Sequence, residues 1–182
     1  MQGVSVNLAV LSLAWLIFFV LHSLLASIRF KDLVKKRFPS FTPYYRLAYN
    51  IVSILLIIPI FLFSHSIDSP PLIMWDGALS VISAAAIILA LAGFFWTVRY
   101  YDMAEFLGTR QLREKNVPLE GSDDFTLSPL HRFVRHPWYF LALVILWTRD
   151  MNLPFLVTAV AATIYFIIGS RLEEKKLLFY YG

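Results

Sequence analysis

The chain has 182 residues, of which 59% are hydrophobic, 16% aromatic and 15% charged, with a formal net charge of +4. Soluble domains carry about 25% charged residues, so this composition, with a mean hydropathy of +0.67, excludes an ordinary soluble globule and indicates an integral membrane protein. There is no cysteine, which removes disulfide frameworks, thiolate metal sites, cysteine nucleophiles and thioether-linked haem.

In chain order, Met1-Gln2-Gly3-Val4 lacks the basic start of a secretory signal, and the apolar run after it is longer than a signal core. It therefore reads as a retained first span. Apolar runs at residues 6–28, 45–63 and 78–98 are each long enough to cross ~30 Å of hydrocarbon as a helix. Two shorter runs, 138–147 and 153–169, flank Thr148-Arg149-Asp150-Met151-Asn152, with Pro137 and Pro154 near their starts, where a missing N–H costs nothing. The expected architecture is all-α and membrane-embedded, one domain over residues 1–182. It has five transmembrane helices, the last two a short tight hairpin, and a cap loop at residues 99–136 between the third and fourth.

Basic residues give the orientation. Arg29, Lys31, Lys35, Lys36, Arg37 and Arg46 crowd the first connection, and residues 64–76 contain Asp68 and Asp76 but no lysine or arginine. The cap contains Arg99, Arg110, Arg113, Lys115, Arg132 and Arg135, and Arg171, Lys175 and Lys176 follow the last run. The first connection, the cap and the C-terminal segment are thus expected in the cytoplasm, with the N-terminus outside (the inner membrane, in a bacterium). Arg149 breaks the pattern and is expected to pair with Asp150. The basic residues are membrane flanks rather than a track for phosphates, so no nucleic-acid partner is expected.

Two segments carry the chemistry. Ser128-Pro129 is a helix start, predicting a short helix with Arg132 and Arg135 on one face. That helix stops near His136, because a residue before proline is pushed out of the α region. An arginine and a histidine at the mouth of the next helix form a corner suited to a carboxylate. Glu173 and Glu174 follow the last apolar run, at an expected helix C-terminus where the dipole disfavours carboxylates. They can pair locally with Arg171 or accept hydrogen bonds from a ribose diol or an ammonium group.

Within the first span, His22-Ser23 is a polar pair at a depth where ionisable groups face the protein interior, with Asn50 and Ser53 as candidate partners. His65 enters from the opposite face, which argues against a bis-histidine haem. In the cap, Phe106-Leu107-Gly108-Thr109-Arg110-Gln111 offers a glycine that permits close backbone approach and planar donors at Arg110 and Gln111.

Arg135-His136-Pro137-Trp138-Tyr139, followed by a hairpin and a Glu-Glu pair, resembles the isoprenylcysteine carboxyl methyltransferase superfamily, which also contains phospholipid methyltransferases. His22-Ser23-Leu24-Leu25-Ala26-Ser27, Tyr45-Arg46-Leu47, the Phe106–Gln111 motif and Ile168-Gly169-Ser170-Arg171-Leu172-Glu173-Glu174-Lys175 are similar to the NnrU and methanethiol S-methyltransferase branch. The resemblance covers nearly the whole chain. It implies S-adenosylmethionine as cofactor, contacted by Arg135, His136, Tyr139, Glu173, Glu174 and Gln111, with no metal. It also implies His136 and His22 as candidates for assisting deprotonation of a small thiol or other hydrophobic acceptor.

Pro129 and His131 depart from the superfamily's Gly-x-Tyr, and the sequence reads Phe179-Tyr180-Tyr181-Gly182 where the superfamily continues into a basic segment. Lower activity is expected unless the first connection substitutes for that segment. The resemblance leaves a non-catalytic NnrU-type accessory protein as the alternative. Methyl transfer from a sulfonium is an in-line displacement, in which catalysis is positioning and exclusion of water.

Overall fold

The structure is a computed structural model, and it describes residues 2–114 and 127–181. Helix α1 (Gln2–Ala26) leads into α2 (Ile28–Arg37), a 3-10 turn at Pro39–Tyr44, and α3 (Tyr45–Ser66). A short strand β1 (Pro71–Ile73) precedes α4 (Ala78–Val98), followed by the cap helices α5 (Met103–Leu107) and α6 (Thr109–Glu114). A second 3-10 turn at Pro129–Arg132 leads to α7 (Pro137–Trp147), strand β2 (Met151–Asn152) and α8 (Leu153–Tyr181). The cap residues 115–126 lie outside the described part.

Among the described residues, four helical segments are long and apolar enough to cross a membrane: Gly3–Ala26, Pro39–Ser66, Ala78–Val98 and Leu153–Lys175. The boundaries follow the apolar runs closely because a span must be continuous over the hydrocarbon thickness. The fifth expected span is shorter. Helix α7 has 11 residues, about 16 Å at the usual rise. Its path is completed by extended chain whose backbone groups find partners, as a low-dielectric surround requires. Thr148 N–H donates to the Val144 carbonyl (3.1 Å), the Ser83 hydroxyl of α4 donates to the Thr148 carbonyl, and β2 pairs antiparallel with β1. Apart from this short β pair the described residues are helices and their connections, as the all-α expectation has it.

Two further expectations are corrected. Arg149 does not turn to Asp150: its guanidinium lies 4.3 Å from the Phe155 ring centroid, while the Asp150 carboxylate accepts the Trp75 N–H at 2.8 Å. The final helix does not stop after Gly169; α8 runs on through Glu173 and Glu174. These glutamates therefore sit inside a helix rather than at its C-terminus, and the dipole penalty expected for them does not apply.

The core lies between α1, α3 and α8. Leu11, Trp15, Phe18, Ile60 and Ile67 form its buried centre, and the Trp15 indole N–H donates to the Thr158 hydroxyl at 3.1 Å. Lipid-facing apolar side chains are exposed along α1, α3 and α4, as expected for a bundle whose solvent is hydrocarbon.

Candidate active site

His136 is where the chain turns from the cap into α7. Its backbone (φ −126°, ψ 76°) is non-helical, with Pro137 as the first residue of the helix, the conformation a pre-proline residue favours. The preceding helix is shorter than expected, a 3-10 turn ending at Arg132, so Arg135 reaches the site from irregular chain. Ser128 caps that turn: its backbone N–H donates to His131 Nδ1 at 3.0 Å.

The turn into α7 delivers His136 to Glu173 and Glu174 on α8. His136 Nε2 lies 3.2 Å from Glu174 Oε1 and His136 Nδ1 lies 3.3 Å from Glu173 Oε2. Arg135 Nη1 is 3.7 Å from Glu174 Oε1, and the Tyr139 hydroxyl donates to Glu173 Oε2 at 3.1 Å. The His136 ring stacks on Tyr139 (5.3 Å, 11°), and Tyr139 stacks on Phe166 (4.8 Å, 6°). Five of the seven residues singled out in the sequence thus come together. The side chains of Arg135, Glu173 and Glu174 remain 85%, 51% and 39% exposed, so this corner opens to water.

Trp138 fixes the register of α7. Its indole N–H donates to the buried Thr97 hydroxyl at 2.9 Å, and its ring meets Tyr101 and Phe106 edge-on at 4.9 and 5.5 Å. Tyr101 sits between Ser128 and Glu173, and burial, first of all, raises its phenol above the ordinary value.

The cap seats on α3 through Gly108. Its φ is +89°, and a Cβ there would stand 2.5 Å from the Leu47 nitrogen, so only glycine meets both the left-handed conformation and the close approach. Asn50 Nδ2 donates to the Phe106 and Leu107 carbonyls at 3.0 and 3.1 Å, which satisfies the end of α5. Glu105, 9% exposed, lies 3.5 Å from Arg46 and 3.7 Å from Arg110, and Arg110 also pairs with Asp102 at 2.9 Å. Glu105 was not singled out in the sequence; its position three residues after Asp102, the cap of α5, was the available signal. Gln111 is 1% exposed, and neither of its amide atoms has a hydrogen-bond partner. The structure puts it in the cap and not among the residues around His136.

His22 belongs to a different cluster, inside the bundle. Its Nε2 is 2.7 Å from the Tyr49 hydroxyl and its Nδ1 is 3.0 Å from the Ser53 hydroxyl. Of its two expected partners, Ser53 is one and Asn50 is not; Tyr49 takes that place. Ser23 Oγ donates to the Tyr165 hydroxyl at 3.4 Å, and the His22 and Tyr165 rings are 6.0 Å apart. Tyr165 adjoins Phe166, on which Tyr139 stacks, so the two histidines are linked by aromatic rings rather than by direct contact.

Comparison with known proteins places this geometry. Over 171 residues the chain is 32% identical to a methanethiol S-methyltransferase of Pseudomonas deceptionensis, a match covering 91% of this chain and 63% of that protein. The chain is similar to methanethiol S-methyltransferases over most of its own length. It is 27% identical over 190 residues to methanethiol S-methyltransferase 1 of Bradyrhizobium diazoefficiens (100% of this chain, 62% of the relative). It is also 27% identical over 179 residues to the Crocosphaera subtropica protein of that name (91% and 65%). The chain therefore spans less than two thirds of the length of these relatives. No family model matches it, and no solved structure does.

Proposed function

We propose that the chain is a membrane-embedded, S-adenosylmethionine-dependent methyltransferase whose acceptor is a small thiol or another apolar nucleophile. The observation that carries this reading is the corner where Arg135, His136 and Tyr139 meet Glu173 and Glu174. Its donor set fits a zwitterion. Arg135 and His136 would hold a carboxylate, and the glutamates would accept from an ammonium group or a ribose diol. Their present pairing is mostly exposed, and exposed ion pairs are worth only about 0–1 kcal/mol, so a ligand displaces them at little cost. Bound S-adenosylmethionine supplies a sulfonium methyl group.

The chain's own part is to position and to exclude water. Tyr139 and Phe166 give the corner an aromatic wall on its bilayer side, and Trp138 fixes α7 against α4 and the cap. His136 orients both glutamates. The names of the relatives support a thiol acceptor, and the distribution of basic residues supports a cytoplasmic corner and cap.

Calorimetry with S-adenosylmethionine on detergent-solubilised protein tests the reading. Binding that falls roughly 10- to 100-fold in His136→Ala, the loss expected for hydrogen bonds to charged groups, and further in Glu173→Ala/Glu174→Ala supports it. A folded protein that binds no S-adenosylmethionine overturns it in favour of a non-catalytic membrane accessory.

A further inference from the structure

Helix α2 and the 3-10 turn after it concentrate positive charge at one end of the bundle. Residues 28–44 hold Arg29, Lys31, Lys35, Lys36 and Arg37 against a single acidic residue, Asp32. Residues 64–76, at the other end of α3, hold no lysine or arginine. The hairpin has a defined inner side. Val34 is buried, the Phe30 ring lies 6.3 Å from that of Tyr45, and the Tyr45 hydroxyl donates to the Leu25 carbonyl at 2.6 Å. Arg29, Leu33 and Lys36, spaced i, i+4 and i+7, form a separate stripe of the helix, and all three are exposed.

Neither the helix nor the rest of the protein accounts for these charges. Lys35, Lys36 and Arg37 suit the dipole at the end of α2, but Arg29 stands in its first turn, where a cation is disfavoured. Arg46, Arg110 and Arg135 each face a carboxylate. Arg29, Lys35, Lys36 and Arg37 face none among the described residues, Asp32 included. Large apolar side chains are interleaved with them: Leu33, Phe38, Phe41 and Tyr44 are 58%, 60%, 44% and 51% exposed. Such a mixture suits neither water nor hydrocarbon, whereas a headgroup layer offers both environments.

Depth in the bundle agrees. The contacts Trp15–Thr158 and Ser23–Tyr165 advance together along both helices, so α1 and α8 run parallel. Helix α2, which begins directly after α1, therefore lies at the boundary where α8 presents Glu173 and Glu174. The apolar segment that includes α3 starts at Pro39, which puts Phe38 and Phe41 at the edge of the hydrocarbon.

We propose that α2 and the 3-10 turn form a docking surface for anionic phospholipids. Arg29, Lys35, Lys36 and Arg37 meet the headgroup phosphates, and Leu33, Phe38 and Phe41 enter the upper acyl chains. Charge complementarity selects the anionic class, since a zwitterionic headgroup brings its own cation. Each base near an anionic surface is worth about fivefold in affinity. This surface is separate from the His136 corner, and the proposal stands independently of methyl transfer.

The test measures which lipid lies against α2. The chain has no cysteine, so Leu33→Cys gives a single site for a fluorophore. The full-length protein is placed in nanodiscs of one quarter phosphatidylglycerol and three quarters phosphatidylcholine. A nitroxide quencher is carried on the acyl chains either of the phosphatidylglycerol or of an equal amount of the phosphatidylcholine. Quenching by labelled phosphatidylglycerol is expected to be about twofold stronger or more. The preference should vanish in Arg29→Gln/Lys35→Gln/Lys36→Gln/Arg37→Gln. In the unmutated background it should also vanish in about 0.5 M salt, where screening acts within about 4 Å. A fluorophore at Leu72→Cys, exposed on β1 at the opposite boundary, should be quenched equally by both lipids. Equal quenching at position 33, or a preference that survives both the substitutions and salt, overturns the proposal. The same preference at position 72 overturns it as well, by assigning the selection to the whole protein. Absence of quenching at position 33 by either lipid overturns it in favour of a surface clear of the bilayer, as for a protein partner.

Discussion

The two histidine sites use opposite electrostatics. Around His136 the partners are ions, Arg135, Glu173 and Glu174, with exposed or half-exposed side chains. Around His22 they are neutral hydroxyls on Tyr49 and Ser53 within the bundle. Position relative to water accounts for the difference. Ions at the boundary keep part of their hydration and exchange partners cheaply, whereas an ion within the span must be compensated fully. The first arrangement suits a charged zwitterion, whereas the second is a neutral hydrogen-bond network among residues of α1 and α3.

Placing a charge in the neutral cluster is the most direct way to break this contrast. Ser53→Asp introduces a carboxylate beside His22 inside α3 and is expected to cost about 2.5–3.5 kcal/mol, measured by chemical unfolding in micelles. The matching change at the boundary, Glu174→Gln, should cost less than about 1 kcal/mol by the same measurement. Equal losses at the two sites would show that both experience the same dielectric. Gly108→Ala probes what seats the cap on α3. A Cβ at 2.5 Å from the Leu47 nitrogen, with φ at +89°, should cost about 1–3 kcal/mol and raise protease sensitivity in the cap; an unchanged digestion pattern would count against docking through this glycine.

The smallest effect is a pH dependence. The Glu105 backbone N–H, and then Arg110, hold the Asp102 carboxyl below its ordinary value. Because the folded value is depressed, the contribution is complete above the unfolded carboxylate value and fades as pH falls through the folded one. Thermal unfolding of the wild type should show a slight loss of stability on that acid side, and Asp102→Asn should flatten it. A slope that persists in the variant would assign the dependence to another group.

Much of this was legible in the sequence. The run at residues 78–98 became α4 with the same ends, since an apolar stretch bounded by Gly77 and Arg99 leaves a spanning helix no other register. Arg135, His136, Tyr139, Glu173 and Glu174 were also legible, because a hairpin of roughly fixed length returns the chain to its starting face. The Tyr49 contact to His22 was not, since apolar composition predicts that α1 and α3 span but not how each is rotated about its axis. The continuation of α8 past Gly169 was missed for a related reason: loss of hydrophobicity marks the membrane boundary, not the end of a helix. The burial of Gln111 depends on the packing of α6 against α5 and the 3-10 turn at Pro39–Tyr44, which no local pattern encodes.

The truncated α7 has a consequence for the surrounding lipid. Beside four helices of ordinary spanning length, about 16 Å of helix leaves one flank of the bundle short of the ~30 Å hydrocarbon thickness. Lipids along that flank must shorten or splay to meet the polar turn that carries Arg149 and Asp150, at a cost that grows with bilayer thickness. A short helix there favours a locally thinned bilayer on that flank. In thick, sterol-like bilayers the same mismatch would press α7 against α4 and α8 and strain the turn from which His136 reaches Glu173 and Glu174.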